Sequence, residues 1–421
     1  MSVRLHFRKV LDTLLEPNFG IYILGNAISL IGTWTQRVAA GWLVWQLTGS
    51  PAWLGVIAFA DLFPAVVIAP FAGVAADRWS RLRIMRLAQA LGAVIAGVLA
   101  VLYFAGLAGI WVLVGMTLAL GLVDAFVQPF RLALVSELVE RDRLTSAVAI
   151  KSVTFNLARF VGPAVAGLII ATVGVGWAFT VNALSFLALF AALAVVRELR
   201  PPPPRPPAQG VFTEAAAGVR YAARTPGLAV VLGLLTATCL LARPVVELLP
   251  GWAGRIFGGT ATDLAALTSA IGIGAVGGGI WLAGRPSASG LVWIMILCCY
   301  GLVASLIVFA MAPGMIVALP LMVVTGFFLV TSAISTQTLI QLNVEDRMRG
   351  RVLSVYAMII KGGPAIGALV MGFAATAAGL RLPLVVAMVL LALATVAAHL
   401  GRRRMEGQLE RHDGEPRGEG A

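Results

Sequence analysis

Long apolar runs, separated by short polar or arginine-bearing turns, set the pattern of this 421-residue chain. A helix crosses the ~30 Å hydrocarbon core of a bilayer with about 20 residues, each rising ~1.5 Å. That window predicts spans at 20–47, 53–75, 84–105, 108–130, 146–172 and 175–196. After a polar break it predicts six more, at 228–250, 262–284, 289–311, 314–341, 352–378 and 380–400. Lipid offers no hydrogen bonds, so each backbone run must satisfy itself, which makes the spans helices. The expectation is an all-α polytopic membrane protein of about twelve transmembrane helices.

The polar break divides the chain near its middle. Residues 201–207 read PPPPRPP, an extended and semi-rigid stretch without backbone donors at its prolines. The predicted organisation is an N-terminal tail (1–19), a six-helix bundle (20–196), a Pro/Arg-rich linker (197–227), a second six-helix bundle (228–400) and a C-terminal tail (401–421). A repeat supports the division. VERDRLTSAVAI (139–150) precedes Gly162-Pro163 and Gly167, and VEDRMRGRVLSV (344–355) precedes Gly363-Pro364 and Gly367. Duplicated halves of this kind are expected of secondary transporters.

Composition agrees with lipid as the solvent. The chain is 60% hydrophobic and 12% charged, with mean hydropathy +0.94, whereas a soluble domain carries about 25% charged residues. The net charge of +12 is dispersed in short clusters between apolar runs. A nucleic-acid binder needs a continuous basic patch, so that class is set aside. Arginines at 78, 81, 83, 86, 131, 141, 143, 347, 349 and 351 all fall on one set of connections. The opposite set is nearly bare, Arg255 and Arg381 excepted. The positive-inside rule then places both termini in the cytosol.

Cys239, Cys298 and Cys299 lie inside apolar runs and His6, His399 and His412 are scattered, so no metal site is expected. There is no H-E-x-x-H motif, no paired catalytic aspartates and no Walker-type loop. An enzyme is therefore not expected, nor a bound cofactor, nor ATP as direct energy source. The partners expected are a small-molecule substrate and the bilayer, with no obligate protein partner evident.

Between the second and third spans stands Gly73-Val-Ala-Ala-Asp77-Arg78-Trp-Ser-Arg81-Leu-Arg83. It resembles the signature loop of the major facilitator superfamily, G-x-x-x-D-R-x-G-R-R, with Ser80 in place of the second glycine and the last basic residue displaced to Arg83. Gly73 permits close helix approach and Asp77 can accept from backbone donors at a neighbouring helix start. Further segments are similar to the branch that holds the enterobactin exporter and the macrolide-efflux proteins. They are Pro129-Phe-Arg131-Leu-Ala-Leu-Val-Ser-Glu137-Leu-Val, Phe155-Asn156-Leu-Ala-Arg159-Phe-Val-Gly162-Pro163, Leu249-Pro250 with Phe257-Gly258-Gly259, and Asp346-Arg347-Met-Arg349-Gly350-Arg351-Val.

The resemblance implies the major facilitator fold in a bacterial inner membrane. It also implies proton-driven export of a siderophore, drug or similar amphipathic molecule, in the manner of an antiporter. By the same resemblance Gly73, Asp77, Arg78, Arg81 and Arg83 would latch the two halves at the cytosolic face, with Arg131, Arg347, Arg349 and Arg351 among the gating residues. A plain positive-inside cluster is the alternative for the loop. The second-half counterpart, Gly284-Arg285 to Gly290, lacks an Asp-Arg pair, so a latch there would be weaker.

Charges at bilayer depth cost several kcal/mol unless paired or wetted, which makes each one a candidate. Glu247, Asp61 and Asp124, in that order, are the candidate proton-coupling carboxylates, since desolvation raises a carboxyl's proton affinity. Arg37, Arg159, Arg243, Lys361, Asn156 and Gln337 are the candidate cavity residues. Arg243 and Glu247 stand four apart and are expected to pair on one helix face. Arg131 is a candidate partner for Asp77 or a headgroup anchor. Trp34, Trp42, Trp45 and Trp53 read as an interfacial belt, or alternatively as an aromatic wall. An importer or a lysolipid flippase of the same fold would carry the same features, and a receptor role is not distinguished by them.

Overall fold

The computed structural model describes residues 11–196, 211–285, 289–402, 405 and 407. Among them the chain is helix joined by short turns, with no strand. Among the described residues, eleven helical stretches are long and apolar enough to cross a membrane. A further long helix, Pro17–Thr48, precedes them. Its buried Asn26, Ser29, Thr35 and Gln36 explain its lower hydropathy, because this helix turns polar groups inward.

Local sequence sets the helix ends. Proline occupies the first turn of the helices starting at Pro17, Pro51, Pro64 and Pro226, where its missing N–H leaves nothing unsatisfied. Gly49 takes left-handed backbone (φ 55°) and caps the first helix with its N–H on the Trp45 carbonyl. The second span is two helices, Pro51–Leu62 and Pro64–Arg78, because Pro64 removes a ladder donor. The seventh is the most broken. Pro226–Ala237 passes through a π-turn (Thr238–Ala242) into Pro244–Glu247 and Leu249–Gly251, and a second π-turn ends it at Ile256.

Several expected boundaries are corrected. The fourth helix, Ile110–Leu138, runs well past 130 with Pro129 inside it, and the eleventh begins at Asp346 rather than 352. Arg131 and Glu137 in the first extension, and Arg347, Arg349 and Arg351 in the second, lower the local hydropathy although the helix continues. The linker is not wholly extended, since Val211–Arg224 within it is a helix. The proline run at 201–207 and the tail segments 1–10 and 408–421 lie outside the described residues.

Apolar stripes face lipid. On the third helix, Arg81–Phe104, Leu87, Leu91, Val94, Val98 and Val101 are exposed, while Met85, Ala88, Gly92, Ala96 and Leu99 are buried. The first helix packs on the fifth (Leu144–Thr172) and sixth (Val175–Val195), and the second on the fourth. In the later half, the tenth helix (Met315–Asn343) packs on the eighth (Ala261–Ala283) and ninth (Leu291–Ala310), and the ninth on the twelfth (Arg381–Leu400).

Two seams join the halves, second helix against eleventh (Asp346–Ala378) and fifth against eighth. In the first seam glycines let the backbones touch. A Cβ on Gly55 would stand 2.5 Å from the Ala368 carbonyl oxygen, and one on Gly372 would stand 2.5 Å from that of Pro51. The Ala52 N–H donates to Thr376 Oγ1 at 3.1 Å. In the second seam Ser269 Oγ donates to the Phe160 carbonyl at 3.3 Å. Trp45 of the first helix fills the space left by Gly251 and Gly254 of the seventh. These contacts lie in the middle and toward the arginine-poor end. Toward the arginine-rich end, a Cβ on Gly73 would meet nothing within 4 Å among the described residues.

Candidate functional site

The first helix carries Arg37 to the centre of the molecule, where the Pro64 break in the second helix presents Asp61 and the broken seventh presents Glu247. Arg37 Nη2 lies 3.0 Å from Asp61 Oδ2 and donates to both oxygens of Glu247 at 3.2 and 3.3 Å. One guanidinium therefore serves two carboxylates, one from each half. All three side chains retain partial access to solvent, at 31%, 32% and 17%.

This corrects the expected pairing of Glu247 with Arg243. Both Glu247 oxygens accept from Arg37, across the seam between the halves.

Asp124 pairs with Arg131 at 3.2 Å on its own helix, with Gln128 between them also accepting from Arg131 at 3.5 Å. The spacing of seven residues puts both on one face. Arg131 is thus committed to Asp124. Lys361 and Arg37 lie within electrostatic reach of the same carboxylate.

A second group faces the first across Trp34. The guanidinium carbons of Arg37 and Arg159 lie 5.3 and 5.7 Å from the Trp34 ring centroid. Arg159 and Arg243 then line a cavity of about 150 Å³ with Gln337, Tyr356, Leu329 and Ile334. Of the four tryptophans read as a belt, Trp34 lines the interior, Trp42 is buried and Trp45 wedges between the halves. Trp53, edge-on to exposed Trp111 at 5.1 Å, fits the interface reading.

The loop residues are distributed differently from a simple latch. Arg81 is buried against Glu137 at the end of the fourth helix, inside its own half. Arg78 and Arg83 are exposed, and the side chain of Asp77 lies outside the described residues. Arg347 pairs with neighbouring Glu345 at 2.9 Å, Arg349 donates to the Val344 carbonyl at 3.4 Å, and Arg351 lies on the sulfur of Met348. Asn156 donates to the Ser152 carbonyl of its own helix at 2.9 Å. Gln36 and Asn182 bond each other at 2.7 Å, joining the first and sixth helices.

Sequence reasoning gave no role to Tyr356, and met Glu137 only within a resembling segment. Nothing about a tyrosine ten residues into the eleventh helix distinguishes it. A role for Glu137 would have followed from continuing the fourth helix past Pro129. Among the described residues no group of three or more His, Cys, Asp or Glu could hold a metal ion.

The family model described as "Transmembrane secretion effector" matches residues 11–416. The chain belongs to that family of the major facilitator superfamily. The enterobactin exporter of Shigella flexneri is 27% identical over 367 residues, covering 85% of each chain. The staphyloferrin A transporter of Staphylococcus aureus is 25% identical over 166 residues, 39% of this chain and 42% of that one. Among solved structures, a bacterial homologue of the human lysosomal transporter Spinster, inward-facing and unoccupied, superposes with TM-score 0.70. It is 16% identical and covers 93% of this chain and 98% of that one, a likeness that speaks to fold alone. The family and its relatives are membrane transporters of small molecules, not enzymes.

Proposed function

We propose that this protein is a secondary transporter that exports a siderophore or comparable amphipathic small molecule across a bacterial inner membrane, driven by protons. The arginine-rich end and both termini face the cytosol in this reading, as the positive-inside rule requires. The single observation that carries it is the Arg37 bridge, one cation shared between Asp61 of the first half and Glu247 of the second.

The chemistry follows from that count. With one cation and two carboxylates the group has a net charge of −1, so it can take up one proton and become neutral. A proton on Glu247 leaves the Arg37–Asp61 pair intact within the first half and releases the second half. Proton arrival thereby becomes freedom of the halves to rock, which is how a carrier changes the end it opens. The relatives named as siderophore exporter and transporter support the substrate class. An antiporter cycle opening to the cytosol, filling, and resetting by protonation from outside is the sequence of steps we infer.

The decisive experiment compares metabolites of a deletion strain with its parent, inside cells and in the medium. Accumulation of one compound inside is the expected result. That compound should then enter inverted vesicles when their interior is acidified, and a protonophore should abolish the uptake. Uptake into right-side-out vesicles instead would reverse the direction and make the protein an importer. Competition by lysolipids alone would make it a flippase.

A further inference from the structure

We infer that the cavity between the fifth, seventh, tenth and eleventh helices is an anion-binding subsite, in which Arg159 and Arg243 clamp a dianionic group of the transported molecule. This deepens the proposed function by naming a substrate class, and it rests on that reading.

The membrane interior holds charges of both signs. Asp61, Asp124 and Glu247 are the carboxylates there, and Arg37 and Arg131 hold all three. Arg159, Arg243 and Lys361 remain with no carboxylate at ion-pair distance among the described residues. Arg159 is worse than unmatched, because Arg243 and Arg37 both repel it and only the already engaged Glu247 offsets them. Unmatched cations at bilayer depth are costly, and a fold that keeps two of them side by side has a use for their charge.

The cavity also has the form of a receptor. The two guanidinium groups supply planar forks suited to carboxylate or phosphate oxygens. Gln337 is exposed on the same wall and offers an amide. The Tyr356 hydroxyl is already spent on the Ala333 carbonyl at 3.2 Å, so the arginines carry the recognition. Leu329 and Ile334 furnish an apolar surface beside the charges. Trp34, stacked on Arg159, holds that side chain in place. An amphipathic anion, charged at one end and planar or apolar at the other, matches this arrangement. A cationic drug does not.

The test uses the purified full-length protein in phosphatidylcholine nanodiscs and radiolabelled phthalate, a small aromatic dianion, with scintillation-proximity detection and no gradient. The expected result is saturable binding, undisturbed by neutral dimethyl phthalate. Arg159→Gln and Arg243→Gln should each weaken it roughly ten- to a hundredfold, the scale of a lost charge-assisted contact. Arg159→Lys and Arg243→Lys, which keep the charge and the fold but lose the fork, should weaken it less. Arg255→Gln, removing an exposed arginine at the arginine-poor end, should leave it unchanged. Failure of the wild-type protein to bind phthalate, equal displacement by the neutral ester, or unaltered binding by the Gln variants would overturn the inference. Displacement by phosphatidylglycerol in the nanodisc would also overturn it, assigning the arginines to a lipid phosphate. Binding here needs no proton gradient. Phthalate binding without proton-driven vesicle uptake would therefore sink the proposed function alone, and the reverse outcome would sink the subsite alone.

Discussion

Two charged regions share Trp34 as a common wall and are built on opposite arithmetic. Around Arg37 two carboxylates compete for one cation, and the group is short of positive charge. Around Arg159 and Arg243 two cations have no carboxylate at ion-pair distance among the described residues, and the group is short of negative charge. The first deficit is met by something as small as a proton. The second is met by a molecule. A carrier that exchanges protons for an anion needs both kinds of place, and keeping them adjacent lets occupation of one alter the field at the other.

The comparison breaks most visibly at Glu247. Glu247→Gln keeps the shape but holds neither a charge nor a titratable proton, so Arg37 would be left to Asp61 alone. The variant resembles the protonated group, neutral with Arg37 on Asp61, so the gradient has nothing to act on. A loss of roughly a hundredfold is expected, about 2.8 kcal/mol at ~1.4 kcal/mol per decade. Proton-driven uptake into inverted vesicles should fall by about that factor, while counterflow without a gradient persists. Retention of proton-driven uptake within twofold would move the coupling role to Asp61 and detach it from the seam between the halves.

How much of this could be read in the chain itself depends on the range of the interactions. The spans were legible because about twenty apolar residues in a row admit one solution in lipid. Their ends were not, since charged residues lower the hydropathy of 131–138 and 346–351 although both stretches stay helical. Depth placed Arg37, Asp61, Asp124, Arg159, Arg243 and Glu247 in the interior. Their partners escaped, because the i,i+4 rule pairs Arg243 with Glu247 locally and the real partner of Glu247 is 210 residues away. In the same way the motif gave Arg81 a carboxylate partner at the cytosolic face without naming it, and that partner, Glu137, stands 56 residues away within the first half.

A smaller and opposite pair of effects is expected in stability. Arg37→Gln would strand Asp61 and Glu247 together. Both keep partial solvent access, so the ~3–5 kcal/mol of a buried pair falls to about 1–3 kcal/mol after screening. Arg243→Gln removes one of two like charges and should be neutral within about 0.5 kcal/mol, or stabilising. Thermal melts of the two variants in the same detergent would separate the regions cleanly. Equal destabilisation by both would mean that Arg243 has a structural partner, and the contrast between the regions would lose its basis.

The smallest effect falls on the wall they share. Trp34 lies under both Arg37 and Arg159, and Trp34→Phe keeps an aromatic face while weakening the quadrupole that attracts a cation. Cation–π contacts at accessible sites amount to about 0.5–1 kcal/mol, and Phe retains part of that. Phthalate affinity should therefore drop only about two- to threefold, through looser placement of Arg159. Proton-driven uptake should change even less, because Arg37 keeps its two carboxylates at 3.0 and 3.2 Å. Measuring both in one Trp34→Phe preparation asks whether the regions are separable. A loss of proton coupling as deep as that of Glu247→Gln would mean that the ring transmits charge state between them, and that proton site and anion site act as one unit.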